Sequence, residues 1–142
     1  MAQVGPYYAD KGLSAAYYDL VTANDASLKG DIGIYAGLLP PQGRVLELGA
    51  GTGRVAFPLA GDGHEVVGVD LAPAMLAQAE RRRREAPEEI AARLSFRRGD
   101  MAALDLKQTF DAVICPFFGL AHLPAGAAWR NVFAVTAAHL VP

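Results

Sequence analysis

Residues 45–54, VLELGAGTGR, constrain the fold more than any other stretch of this chain. An apolar-rich run leads straight into Gly49, Gly51 and Gly53, and no ordinary turn needs three glycines at alternate positions. Removing Cβ permits positive φ and lets backbone come close to a ligand. Set between a strand and a helix, such a loop lies at the carboxyl edge of a sheet, where α/β proteins bind nucleotides. The remaining residues must then supply that sheet.

They do so in a repeating order. Residues 13–39 (LSAAYYDLVT and DIGIYAGLL) carry apolar residues at three- and four-residue spacing, with a break near ANDAS, and read as helical. The prolines of LLPPQG stop that segment. A buried strand is expected at 44–49 and a short helix, shortened or kinked by Pro58, at 53–60. HEVVGVD (64–70) reads as a second strand, and residues 72–86 as a helix with Pro73 in its first turn, where a missing N–H costs least. Further strands are expected at 93–100 and 110–117, and an amphipathic helix at 126–140. Strands alternating with helices predict an α/β fold of three layers, a Rossmann-like, doubly wound, mostly parallel sheet. Residues 1–40 read as an N-terminal helical segment or lid, and 41–142 as the core.

The chain reaches HLVP where another strand is due. The sheet is therefore expected to be incomplete on its C-terminal side, the front part of a larger domain, with nothing covering the apolar edge of the fourth strand. An open edge of that kind favours association, so self-association through it is expected.

Composition narrows the function. With 52% hydrophobic and 20% charged residues the chain can build a core, and a net charge of −2 offers no broad cationic face for nucleic acid. Cys115 is alone, which excludes an internal disulfide, and His64, His122 and His139 lack ligand spacing, so no metal site is expected. No basic-then-apolar leader is apparent and no apolar run approaches the roughly 18–20 residues that span a bilayer, so the expectation is a cytoplasmic protein without membrane contact.

The loop reads GxGxG, not the GxGxxG of dinucleotide sites, and no Gly-Lys-Ser/Thr follows for a triphosphate. Glu47, two residues ahead, would repel a pyrophosphate and suits a ligand with positive charge. Asp70 ends the second strand, where an acid accepts hydrogen bonds from ribose hydroxyls. Asp100, followed by Met101, ends the third, placed for an exocyclic amine with an apolar neighbour against the ring. These three acids fit an adenosine-like, cationic ligand without phosphate.

VLELGAGTGR, VVGVDLAPAMLAQA, FRRGDMAAL and FDAVICPFFGLAHL, in that order, resemble the class I S-adenosylmethionine-dependent methyltransferases, particularly the small-molecule branch, over about residues 17–142. The resemblance implies a loop of Gly49, Ala50 and Gly51 against the methionine part of S-adenosylmethionine, with Glu47 organising that loop and the cofactor's amino group. It implies Asp70 at the ribose, Leu71 and Met75 beside the adenine, Asp100 and Met101 at the adenine edge, and Phe117 at the amino end, where the substrate pocket begins. Tyr17, or its neighbour Tyr18, would close over the cofactor. The family continues through a PGG turn into a fifth strand and an antiparallel hairpin, which HLVP does not supply. The implied activity is methyl transfer to N, O or C of a small-molecule acceptor by in-line displacement, with no certain catalytic side chain and His122 the nearby titrating candidate. The alternative is a cofactor-binding or structural module, completed by a partner chain or by self-association.

Plainer readings stand beside these. The glycines could form only a tight turn, Glu47 could be a core carboxylate, and Asp70 and Asp100 could be helix N-caps. Arg81 to Arg84 read as a solvated helix face balanced by Glu80, Glu85, Glu88 and Glu89. Cys115 and Trp129 read as core residues, His122 as a surface or structural histidine, and the tyrosines as helix packing.

Overall fold

A computed structural model describes residues 13–117 and 119–142. In chain order the elements are α1 (Leu13–Ala23), a 3₁₀ turn (Ala26–Leu28), α2 (Asp31–Leu38), β1 (Arg44–Leu48), α3 (Ala56–Gly61) and β2 (Glu65–Asp70). Then follow α4 (Pro73–Glu85), α5 (Glu88–Ala91), β3 (Leu94–Arg98), β4 (Ala112–Ile114), a 3₁₀ turn (Gly119–His122) and α6 (Ala127–His139). The four strands form one parallel sheet in the order β3-β2-β1-β4. Strand order therefore reverses at β1, whose two neighbours lead to opposite sides of the sheet. A crevice opens above the carboxyl ends at such a switch point, and the glycine loop leaves β1 there.

Alternation along β1 divides the core between two faces. Val45 packs with Val55, Ala56, Leu59, Ala60, Val66 and Leu94, under Ile32 and Tyr35 of α2. Leu46 and Leu48 point the other way and pack with Val69, Phe110 and Val132 of α6. Both faces are thus covered, which explains why β1, past the exposed Arg44, reads as an apolar run interrupted by Glu47 alone. α4 begins with Pro73 in its first turn and ends with Arg82, Arg83 and Arg84 in its last, where cations complement the helix dipole.

The structure departs from the sequence reading in four places. β4 spans only three residues instead of eight: Cys115 and Pro116 leave the ladder, to which proline has no N–H to give. α5 was not foreseen; Pro87 precedes it and Glu88 and Glu89 occupy its first turn. Trp129, expected in the core, lies at the surface, 38% exposed. The edge of β4 is also not wholly uncovered. Phe110 donates its N–H to His139 O at 2.8 Å and accepts from Val141 N at 3.0 Å, forming a parallel bridge with Leu140. Residues 139–141 thus begin to pair where a fifth strand would lie. Alongside Ala112–Ile114, no strand occupies that outer edge among the described residues. The proposed lid, residues 1–40, includes residues 1–12, which lie outside the described residues; within it, α1 and α2 are present. Among the described residues no helix is long and apolar enough to cross a membrane.

Candidate functional site

The three glycines all have positive φ (72°, 56° and 81°), but they serve different purposes. The loop hooks over the end of β2: Gly49 and Ala50 both donate to Val69 O, at 2.8 and 3.0 Å, and Gly51 donates to Asp70 Oδ2 at 2.8 Å. A Cβ at Gly49 would lie 3.5 Å from Met101 Cε, and one at Gly51 would lie 3.1 Å from Met75 Cε. Met75 and Met101 therefore border the loop. Gly53 differs, because a Cβ there would strike the Phe57 and Phe96 rings at 2.8–2.9 Å. It admits aromatic packing between α3 and β3 and does not clear space for a ligand.

Three consecutive N–H groups of the loop are thus already engaged within the protein. A phosphate cradle needs such amides free to point at the anion, so Gly49, Ala50 and Gly51 do not offer one.

Glu47 is 2% exposed. It accepts a hydrogen bond from the backbone N–H of Ala56, and its Oε2 is buried with no hydrogen-bond partner among the described residues. Burial pushes its carboxyl up to about 8; Arg54 opposes that rise and the Asp70 charge adds to it. An unpartnered acceptor in such a place is costly, and a ligand ammonium would satisfy it.

Asp70 uses both oxygens on the backbone: Oδ2 accepts from Gly51 and Oδ1 from Ala72, each at 2.8 Å. It therefore anchors the loop and the approach to α4 together, although the N-cap of that helix is Ala72 and not Asp70, while each oxygen keeps a lone pair for a further donor. Burial raises its pKa, opposed by the backbone N–H groups of Ala72, Gly51 and Leu71 and by the charge of His122. Gly99 N donates to Asp70 O at 3.0 Å, which brings the end of β3 alongside, and Asp100 Oδ1 accepts from Ala102 N at 2.9 Å. Leu71 is partly buried beside Ala72, and Ala72 and Met75 form a small cluster with Tyr18. Between the two tyrosines, Tyr18 is the one at this cluster; Tyr17 is 54% exposed.

Arg54 is the neighbour that sequence reasoning passed over. It bonds Asp31 of α2 through both terminal nitrogens, at 3.0 and 2.6 Å, hydrogen-bonds Tyr18, and lies 5.8 Å from the Phe117 ring centroid. Phe117 itself holds a left-handed φ of 50°, strained for an aromatic residue. Arg82 is a second omission. The sequence sets it among four arginines of a solvated helix face, yet it bonds Thr52 O at 2.9 Å and stacks on Phe57. Nothing in one sequence signals such partners, since they lie 23 and 30 residues away. His122 is exposed, at the end of the 3₁₀ turn after β4, close enough for its charge to act on Asp70. Cys115 packs beside Leu46 and Leu48, and burial pushes its thiol up to about 11, away from nucleophilic use.

The structure thus gathers Glu47, Asp70, Met75, Met101, Tyr18 and His122 about one loop, with Phe117 reached through Arg54. A family profile described as a methyltransferase domain matches residues 45–142. The demethylmenaquinone methyltransferase of Beutenbergia cavernae is 39% identical over 98 residues, covering 68% of this chain and 37% of that protein. The CcbJ methyltransferase from Streptomyces caelestis superposes with a TM-score of 0.82 at 30% identity, over 95% of this chain and 53% of that one. The glycopeptide N-methyltransferase MtfA, solved with S-adenosyl-L-methionine, gives 0.75 at 33% identity, over 80% of this chain and 50% of that one. The chain therefore spans about half the length of these solved relatives and little more than a third of the curated one.

Proposed function

This chain belongs to the class I S-adenosylmethionine-dependent methyltransferases, and on that premise we propose that it binds S-adenosylmethionine in the crevice above Gly51 and serves methyl transfer to a small-molecule acceptor at N, O or C. One observation carries the reading: Glu47 Oε2 is buried and, among the described residues, unpartnered beside a loop whose amides are already engaged. That donor set fits a cationic, phosphate-free ligand and not a nucleotide phosphate.

In this reading Glu47 takes the ligand's ammonium, while the backbone of Gly49, Ala50 and Gly51 lies against its methionine part. Asp70 turns its remaining lone pairs to the ribose hydroxyls. Leu71 and Met75 flank the adenine, and Asp100 and Met101 meet its edge. Phe117 stands at the amino end, and the aromatic that closes the crevice is Tyr18, since Tyr17 is exposed. When bound, S-adenosylmethionine supplies an electrophilic methyl group on a sulfonium. The protein's task is then to align and to exclude water, and alignment contributes ~7–11 kcal/mol in well-oriented systems. For an amine or hydroxyl acceptor His122 would take the proton, a role supported by the reach of its charge to Asp70. Self-association along the outer edge of β4 belongs to the same proposal.

The test is calorimetric titration of the 142-residue chain with S-adenosylmethionine and S-adenosylhomocysteine, beside a methyl-transfer assay on a panel of small acceptors. Saturable binding that Glu47→Gln weakens is expected. No binding, or preference for a dinucleotide, would sink the proposal.

A further inference from the structure

Asp19 and Asp31 stand on the two N-terminal helices, yet both reach the glycine loop. Asp19 Oδ1 accepts from the Thr52 hydroxyl, and Arg82, bonded to Thr52 O at 2.9 Å, lies 3.6 Å from Asp19 Oδ2. The Phe57 ring, 4.4 Å from the Arg82 guanidinium carbon, holds that side chain in place. Asp31 receives Arg54 on both oxygens, and the two side chains are only 16% and 18% exposed. Thr52 and Arg54 flank Gly53, so the helices grip the loop at two points just beyond Gly51.

Apolar attachment of these helices is partial: Ile32 and Tyr35 of α2 pack on the core and Tyr18 of α1 on Ala72 and Met75. Leu20 and Val21 of α1 and Ile34 and Leu38 of α2 are all exposed, and α2 buries no residue fully. Charge-assisted, bidentate bonds at low exposure are the strong polar contacts; Arg54–Asp31 is one, and on α1 the Thr52 hydroxyl bond to Asp19 is reinforced by Arg82 at the more exposed Asp19 carboxylate.

We propose that Asp19 and Asp31 are positioning residues that, through Arg82 with Thr52 and through Arg54, clamp α1 and α2 onto the glycine loop. The helices and the cofactor-holding backbone then move as one unit, and the cofactor leaves only when the clamp opens. The second statement rests on the S-adenosylmethionine reading; the first does not.

The clamp itself is tested without ligand, by tryptic cleavage after Lys29, an exposed residue between the helices, at low and high salt. A free peptide serves as the internal rate standard. Asp31→Asn and Asp19→Asn should each speed cleavage ~5-fold and the double variant ~10-fold or more, while Asp31→Glu keeps the wild-type rate. High salt should accelerate the wild type and leave the double variant unchanged. Equal rates for wild type and double variant would overturn the clamp. If the double variant fails to fold, hydrogen exchange of residues 13–38 in the wild type decides: exchange that rises with salt supports the clamp, and salt-independent exchange overturns it. Coupling is read from S-adenosylhomocysteine dissociation, expected ~10-fold faster in Asp31→Asn. Unchanged dissociation overturns the coupling. A clamp that behaves as described in a chain that binds no S-adenosylhomocysteine removes the cofactor reading and the coupling while upholding the clamp.

Discussion

Gly51 donates its backbone N–H to Asp70 Oδ2 at 2.8 Å, joining the glycine loop after β1 to the carboxyl end of β2 across 19 residues of sequence. The same carboxylate takes Ala72 N on its other oxygen, so one side chain holds the loop, the strand end and the first turn of α4. A ligand that bonds Asp70 therefore bonds the joint of the crevice.

Asp70→Ala should for that reason harm both folding and binding. Two backbone N–H groups lose their acceptor, at roughly 1–3 kcal/mol for each one left unsatisfied, which urea unfolding measures. Cofactor affinity should fall by a further ~1–3 kcal/mol, the scale of lost hydrogen bonds to a charged group. Asp70→Asn keeps one acceptor and should fall between. An alanine variant that unfolds like the wild type would contradict the anchoring role; unchanged affinity would contradict the ribose role.

Substitution of the glycines should separate ligand space from packing space. Gly51→Ala meets a φ of 56° and Met75 Cε at 3.1 Å, the flexible end of a methionine, so the left-handed backbone dominates the cost, about 1–2 kcal/mol. Gly53→Ala has the same backbone problem at φ 81° and drives Cβ into two aromatic rings. Overpacking adds typically 1–3 kcal/mol. Thermal melts should rank Gly53→Ala well below Gly51→Ala, while Gly51→Ala should show the larger loss of cofactor affinity per unit of stability. The reverse order would assign the two glycines wrongly.

Glu47 gives the protein a pH dependence whose sign follows from its raised pKa. The unfolded carboxyl titrates near 4.5 and the folded one near 8. Stability from the retained proton is complete below the unfolded value and is lost as pH rises through the folded one, on the order of 5 kcal/mol in all. Asp70, also raised by burial, acts in the same direction. Glu47→Gln keeps the neutral form at every pH and should flatten most of the decline between pH 5 and 8 in denaturant titrations. Binding runs the other way. A ligand ammonium needs the ionised carboxylate, so affinity should rise with pH below 8, by at most about tenfold per unit, with proton release detectable in buffers of different ionisation enthalpy. A wild-type affinity flat across that range would exclude the ammonium contact.

The outer edge of β4 predicts association. Only Phe110 finds a partner there, through residues 139–141, and Ala112–Ile114 present unpaired backbone on that side among the described residues. Size-exclusion chromatography with light scattering at micromolar concentration should show dimers or larger species. A monodisperse monomer would count against edge pairing.

Much of this protein was legible without coordinates, because its signals are local. Apolar runs of strand length, Pro73 opening a helix and the glycines of residues 49–53 each act within a few residues, and together they determined the α/β order, the parallel sheet and the glycine loop at the end of β1. Glu47 was legible for a like reason: a carboxylate inside an apolar strand needs an explanation wherever it occurs. The tertiary structure decided the rest. It gave Gly53 to the Phe57 and Phe96 rings, packed Tyr18 against Ala72 and Met75 and left Tyr17 exposed, put Trp129 at the surface, and drew Arg54 and Arg82 to the N-terminal helices. Those outcomes depend on which side chains meet across tens of residues once the sheet closes, and periodicity along one chain carries no information about a partner on another element.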